Sequence, residues 1–288
     1  MTNVGFRNRN SSARDYITAT GPFKQINTIC PTTGWDVLYG IMELTGTTAV
    51  ITGSTGGLGG AITLALADAG CHCLCHYHSN QARAERIVEK IRQKGPNATA
   101  VQADLSRADE IERLFTHAES LGPVRVLINS AAIFTRRRLE EITAGKAREI
   151  FNTNLIAPIL TSRQFARIVK DRIRQTDVPV AKIINIADVG GIRPWAKYTL
   201  YCASKAGLIS VTKSLAKELA PAICVNAIAP GLVTWPENFT EKAKQRQLDR
   251  IPMARIAKPA DITAAVIFLL KNDYITGQVL NVDGGRCI

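Results

Sequence analysis

"TTAVITGSTGGLGGAITLALADAG", Thr47 to Gly70, decides the fold. Its first six residues are the β-branched and small apolar types that suit a buried strand. From Leu58 the stretch takes on helical periodicity, and it stops at Gly70. Between strand and helix stand Gly53, Gly56, Gly57 and Gly59. Glycine lets the chain turn tightly and lets a ligand approach where a Cβ would clash. Unbonded N–H groups at a helix start, together with the helix dipole, attract a pyrophosphate. A glycine-rich loop alone is a weak sign. One that follows a strand and opens a helix reads as a dinucleotide site.

The same alternation continues outward. "CHCLCHY", "TAVQ", "VRVLIN", "AKIINIA", "ICVNAIA" and "QVLNVD" are six more short apolar runs, with helical stretches such as Gln81 to Lys94 between them. Such alternation predicts a parallel sheet covered by helices on both faces. Residues 1–46 differ. They are rich in Asn, Thr, Arg and Gly and show no sustained periodicity, so they are expected to be a peripheral, poorly ordered extension. One doubly wound α/β domain is expected over 47–288.

Composition narrows the function. The chain has 288 residues and a formal net charge of +12, which suits anionic ligands. The charges are scattered, however. Arg136 to Arg138 is the one tight basic run, and Arg163, Arg167, Lys170, Arg172 and Arg174 read as the wet side of one helix. Without zinc-finger spacing or a basic motif interleaved with aromatics, nucleic acid is not the expected partner. No apolar run approaches the ~20 residues of a membrane span. No secretory signal is evident, so a cytoplasmic enzyme with reduced thiols is expected.

"CHCLCHYHSN", Cys71 to Asn80, looks at first like a metal site. On a strand, however, Cys71, Cys73 and Cys75 share one face, and His72, Leu74 and His76 the other. Neighbours ~6.5–7 Å apart in a row do not close a tetrahedral site, so no metal is expected and the thiols read as fillers under a helix. The end of this strand carries no carboxylate to repel a ribose 2′-phosphate. His78, Ser79 and the following helix start can donate to one, which favours NADP(H).

"YCASK" places Tyr201 and Lys205 one turn apart on a predicted helix. Free tyrosine, with a pKa near ~10, gives up protons poorly. A nearby ammonium favours the phenolate and lowers that pKa, which would make Tyr201 a general acid.

The T-G-x-x-x-G-x-G spacing of Thr52 to Gly59, joined to Tyr201 and Lys205, resembles the short-chain dehydrogenase/reductase family from Thr47 to the C-terminus. The resemblance implies a Rossmann domain with a seven-stranded parallel sheet, a substrate lid near 232–250 and a homotetramer. It assigns proton donation to Tyr201 and a hydrogen bond to the nicotinamide ribose to Lys205. Asn154 in "NTNL" matches the asparagine of the family's catalytic tetrad. Gly53, Gly57, Leu58 and Gly59, then Tyr77, His78, Ser79 and Asn80, fall at cofactor positions. So do Asp104 and Leu105, Asn129 and Ala131 of "NSAA", and Pro230 and Gly231 of "APG".

One departure is informative. Most of the family has a serine thirteen residues before the tyrosine, and here that residue is Asp188. A carboxylate repels a carbonyl oxygen unless protonated. It accepts N–H bonds, and when desolvated it can carry a proton to a ring nitrogen. The other reading of Asp188 is a polar loop residue facing solvent. Aspartate here resembles the pteridine reductases, as do "HYH" after the second strand and Phe134 after Asn129. Phe134 is either a stacking surface for a flat ring or a core aromatic. Gly57 departs from that group, which often has a basic residue there. Trp235 and Phe239 fall in the lid, where they could line the pocket. Arg136 to Arg138 could meet an anionic substrate tail, although solvated charge is the simpler reading.

The expectation is an NADPH-dependent reductase of a pterin or dihydropterin, with Tyr201 as proton donor and Asp188 orienting or protonating the ring. The alternatives are a carbonyl reductase, such as a 3-oxoacyl thioester reductase, and a dinucleotide sensor without catalysis.

Overall fold

The computed structural model describes residues 42–172, 181–235 and 239–288. The expected extension therefore lies almost wholly outside the described residues, as does Arg174.

The described residues form seven strands and eight α-helices. The strands are β1 (Thr48–Thr52), β2 (His72–Tyr77), β3 (Ala98–Gln102), β4 (Val124–Asn129), β5 (Ala181–Ile186), β6 (Ile223–Pro230) and β7 (Val279–Val282). All pair in parallel, in the order β3-β2-β1-β4-β5-β6-β7. The seven-stranded doubly wound sheet expected from the sequence is present. The helices are α1 (Gly57–Asp68), α2 (Gln81–Arg92), α3 (Ala108–Glu119), α4 (Ala144–Phe151), α5 (Ala157–Arg172), α6 (Thr199–Leu219), α7 (Glu241–Leu248) and α8 (Pro259–Lys271). No helix among the described residues is long and apolar enough to cross a membrane.

Strand alternation sorts the core into two layers. Ala49, Ile51, Val126, Ile128, Ile184 and Ile186 face α1, α2 and α8, where Ile62, Leu66, Ile91 and Val266 meet them. Val50, Leu74, Leu127, Ile183 and Val225 face the opposite layer, built from α3, α5 and α6 by Leu114, Phe115, Phe165 and Leu219. Cys71, Cys73 and Cys75 lie fully buried in the first layer, on one strand face. Burial pushes their thiols up, Cys71 to about 11 and Cys75 to about 12, so they stay protonated. Among the described residues no three metal-ligating side chains come together.

The packed region starts earlier than the expected boundary. Met42 and Leu44 are buried in the first core layer, and the Thr47 hydroxyl donates to the Leu44 carbonyl at 2.7 Å. Isolated apolar residues before a strand lack periodicity, so the sequence pattern did not separate them from the extension. Arg163, Arg167 and Lys170 are exposed along α5, as read from the sequence.

Candidate active site

β1 and β4 lie side by side while the chain winds away from them in opposite directions, and ligands of open parallel sheets bind at such a switch point. β1 delivers Gly53 there with φ +66°, a conformation that glycine adopts freely. A Cβ on Gly53 would lie 2.7 Å from Ala131 Cα, so β1 and the loop after β4 touch backbone to backbone. Ala131 therefore sets this close approach, and its N–H donates to the Thr52 hydroxyl at 3.1 Å.

No side chain caps the N-terminus of α1, which leaves its first-turn N–H groups without helical acceptors. Gly57, Leu58 and Gly59 line a cavity of about 870 Å³, and the space where Gly57 would carry a Cβ is open. This is an anion cradle with room for a pyrophosphate, so the residues present fit a dinucleotide.

His76 anchors the cradle, a role the sequence reading did not assign. It is 3% exposed, and its Nδ1 accepts from Gly53 N–H at 3.0 Å while its Nε2 lies 3.0 Å from the Ala103 carbonyl. Nδ1 must be the bare nitrogen, because Gly53 N–H can only donate. Nε2 therefore carries the hydrogen and donates to Ala103. Burial lowers the His76 pKa to about 4, which keeps the ring neutral. The available signal was a histidine on a buried strand face, because a buried polar ring needs partners.

Of the residues expected at the ribose and adenine, Tyr77 ends β2 and His78, Ser79 and Asn80 follow it, but all four stand outside the cavity wall. The Asn80 side chain caps α2, accepting from Arg83 N–H at 3.1 Å. The Asp104 carboxylate turns onto Ser106 N–H at 2.9 Å, and Leu105 is buried in the core.

Asn129 needs a correction. Its side chain does not face the cavity but sits in a buried polar network. It donates to Asn185 Oδ1 at 2.9 Å and to Ser162 Oγ at 3.3 Å, and accepts from Thr161 at 2.7 Å. Asn185 donates on to Thr212 at 2.9 Å. Strand alternation aims position 129 into the helical layer, and Ser130 and Ala132 line the cavity instead.

At the other end β5 delivers Asp188. Its Oδ1 accepts from Gly190 N–H at 2.7 Å and its Oδ2 from the Tyr201 hydroxyl at 2.8 Å. Asp188 is thus no solvent-facing loop residue. Burial raises its pKa above the usual carboxylate range, against the opposing pull of those two hydrogen bonds and of the charges on Lys205 and Arg286. The same burial, joined by the negative charge of Asp188, holds the Tyr201 phenol well above its ordinary range.

Lys205 shares the buried face of α6 with Tyr201, as the spacing predicts. Its ammonium donates to the Ile186 carbonyl at 2.7 Å and lies 5.9 Å from the Tyr201 ring centroid. The expected lowering of the phenol pKa is therefore not found. Lys205 is itself desolvated, with its pKa lowered to about 8, and the phenol faces Asp188 instead. Asn154 sits in a π-helical turn, Asn152–Ile156, between α4 and α5. It accepts from Ile133 N–H at 2.7 Å and donates to the Ile133 carbonyl at 3.0 Å and to Ser204 at 3.1 Å. It braces the loop after β4 against α6.

Aromatic rings wall this end. Phe134 is 52% exposed, which excludes the core reading. It stacks on Tyr198 with centroids 5.1 Å apart and meets Tyr201 edge-on at 4.7 Å. Trp195, three and six residues before Tyr198 and Tyr201, lies 6.5 Å from the Tyr201 ring and nearly parallel to it. Trp235 and Phe239 line the cavity from the segment expected to be a lid, together with Pro230 at the end of β6 and Gly231 after it. Arg136, Arg137 and Arg138 are not in the wall. Arg136 and Arg138 are exposed, and Arg138 pairs loosely with Glu140, so solvated charge accounts for those two; Arg137 is half-buried, with its Nε buried and without a partner among the described residues.

A family model described as "Enoyl-(Acyl carrier protein) reductase" matches residues 53–286, which include the cradle, Asp188, Tyr201 and Lys205. The chain belongs to the short-chain dehydrogenase/reductase family. Among curated relatives, a 3-oxoacyl-(acyl-carrier-protein) reductase of Staphylococcus aureus is 34% identical over 243 residues, covering 82% of this chain and 96% of the relative. A protein of the same description from Synechocystis is 34% identical, covering 84% and 97%. Among solved structures, a blue fluorescent protein from a metagenomic library, in complex with NADPH, superposes with a TM-score of 0.77. It is 31% identical and covers 86% of this chain and all of that one. A dehydrogenase/reductase of Sinorhizobium meliloti also gives 0.77, at 32% identity, covering 85% and 98%. The chain is thus a short-chain oxidoreductase, and the names of its curated relatives agree better with the thioester alternative than with pterin reduction.

Proposed function

We propose that this short-chain reductase uses NADPH to reduce a flat, nitrogen-bearing ring of the pterin class. The observation that carries the reading is the part-buried hydrogen bond from Tyr201 to Asp188, in the wall of a pocket that Phe134, Tyr198 and Trp195 also line. Support for NADPH comes from the uncapped α1 cradle, from a β2 terminus without a carboxylate, and from the NADPH held by the metagenomic neighbour.

When bound, the nicotinamide supplies the hydride. The chain supplies the proton and the fit. Asp188 and Tyr201 form one coupled acid, and the carboxyl is its more acidic member. A ring nitrogen approaching the pair receives the Tyr201 proton, and the phenolate regains one from solvent while Asp188 stays an acceptor. A ring N–H beside it donates to the free lone pairs of Asp188. Lys205 and Asn154 hold α6 and the Ile133 loop in place around this pair. The parallel faces of the aromatic wall suit a planar ring.

A second reading, reduction of a 3-oxoacyl thioester, is favoured by the curated relatives. A ketone oxygen needs a donor where Asp188 stands, so this reading requires Asp188 to be protonated during turnover. NADPH oxidation measured with dihydrobiopterin, dihydrofolate and an acetoacetyl thioester separates the two. Turnover of a dihydropterin is expected, and turnover of the thioester alone would overturn the proposal. NADPH binding without turnover of any of the three would favour the sensor alternative.

A further inference from the structure

Two arginines line the same cavity beyond the aromatic wall, Arg250 after α7 and Arg286 after β7. Arg286 lies over the Trp195 ring, 5.9 Å from its centroid. That places its guanidinium one indole away from Tyr201. One Nη2 hydrogen goes to Gln247 Oε1 at 2.7 Å, which fixes the fork. Most of its five donors stay free. Among the described residues neither arginine forms an ion pair, whereas Arg107, Arg138, Arg167 and Arg255 do. The nearby carboxylates hydrogen-bond elsewhere, Asp188 to Tyr201 and Gly190 N–H, although the charges of Asp188 and Asp283 still favour the Arg286 cation. Asp283 accepts from Gly285 and Cys287 N–H at 2.9 Å each, and Asp249 accepts from Gln245 at 2.8 Å.

Two like charges that share a cavity wall repel each other. Arg286 is partly desolvated, and the charge of Arg250 adds to what holds its pKa below the ordinary guanidinium range. An anion placed between the two would relieve that repulsion and engage a planar fork suited to a carboxylate or phosphate.

We propose that Arg250 and Arg286 form an anion subsite at the substrate end of the pocket, so that the substrate carries a carboxylate or phosphate beyond its reducible centre. This deepens the proposed function and rests on reading this end of the cavity as the substrate end. The shared chemistry has two sources, the glutamate of a conjugated pterin or the phosphate of a pantetheine thioester.

The test has a kinetic and a binding arm, both on the full-length chain with NADPH. In the kinetic arm, Arg250→Gln, Arg286→Gln and the double variant are assayed on dihydrofolate and on dihydrobiopterin. They are also assayed on acetoacetyl-coenzyme A and on the uncharged N-acetylcysteamine thioester. The expected result is that the ratio of kcat/KM for the charged over the uncharged member of one pair falls by about 10–100-fold, the loss of a charge-assisted hydrogen bond. The pair that responds identifies the source. An unchanged ratio in both pairs overturns the subsite.

In the binding arm, p-aminobenzoyl-glutamate and 4′-phosphopantetheine are titrated while tryptophan fluorescence is followed, because Trp195 lies against Arg286. Saturable quenching lost in the double variant supports the subsite even if no ring or thioester is turned over, a result that would remove the proposed activity alone. Equal titrations of wild type and double variant overturn the subsite whatever the activity.

Discussion

His76 makes the acid stability of this protein calculable. Its ring is neutral in the fold and resists protonation down to a pKa of about 4, against an ordinary 6.5. As pH falls below 6.5 the unfolded chain takes up a proton that the folded chain refuses. The contribution of His76 is therefore complete above pH 6.5, drains between 6.5 and 4, and is gone below 4. The interval corresponds to about 3 kcal/mol, or about 6–12 °C in Tm for a domain of this size. Asp188 works in the opposite sense, because its raised pKa lets the fold keep a proton that the unfolded chain has shed. It masks part of the wild-type loss, so the comparison must be with a variant. His76→Asn keeps an acceptor for Gly53 N–H, loses the bond to Ala103 and does not titrate. It should start about 1–3 kcal/mol below wild type at neutral pH. Urea unfolding from pH 7.5 to 4 should then shift the difference between the two curves by about 3 kcal/mol in favour of the variant, closing or reversing the initial gap. Parallel curves would refute the assigned tautomer and the burial argument with it.

Three further substitutions probe the site and its frame. Asp188→Ser should shift preference from dihydropterin toward the acetoacetyl thioester, with kcat on the dihydropterin down by about 10²–10⁴-fold, read from kcat/KM on both substrates. Gly53→Ala forces a side chain into φ +66° and against Ala131 Cα. It should cost at least about 1–2 kcal/mol from the backbone alone, seen as a lower Tm, and should weaken NADPH binding in a calorimetric titration. Lys182, buried and 2.6 Å from the Asp273 carboxylate, should lose about 3 kcal/mol as Lys182→Met, with most of it regained by Lys182→Met/Asp273→Leu in thermal melts.

The frame of the molecule was legible because period-two apolar runs state which residues face a sheet's two coverings. The cradle was legible because few arrangements other than a phosphate loop want four glycines from the end of a strand into the first turn of a helix. Tyr201, Lys205 and Asp188 were found through spacing and resemblance, and the fold does bring them together. What spacing does not carry is direction. Asn129 sits at the expected strand end, yet its side chain faces the helical layer and not the cavity. Lys205 sits one turn from Tyr201, yet its ammonium reaches a carbonyl while the phenol reaches a carboxylate. His76, Trp195 and Arg286 draw their roles from partners 23 residues or more away, or in the case of Trp195 from rings gathered around a cavity. No local pattern encodes those meetings.

The π-helical turn at Asn152–Ile156 has a consequence for how this scaffold tolerates length changes. A π turn is one residue longer than the helix around it. Deleting any one of these five residues would let α4 run into α5 as a regular helix, with better hydrogen bonds than the present ladder. Because the extra residue is taken up within one turn, α4 and α5 would keep their phase, while the side chains of the turn itself would be redistributed. Asn154 could then no longer hold both Ile133 and Ser204. A shortened chain of that kind would be the more regular protein and the poorer enzyme. The surplus residue is kept as a local widening of one turn, and that widening sets Asn154 where it reaches the Ile133 loop and α6 at once.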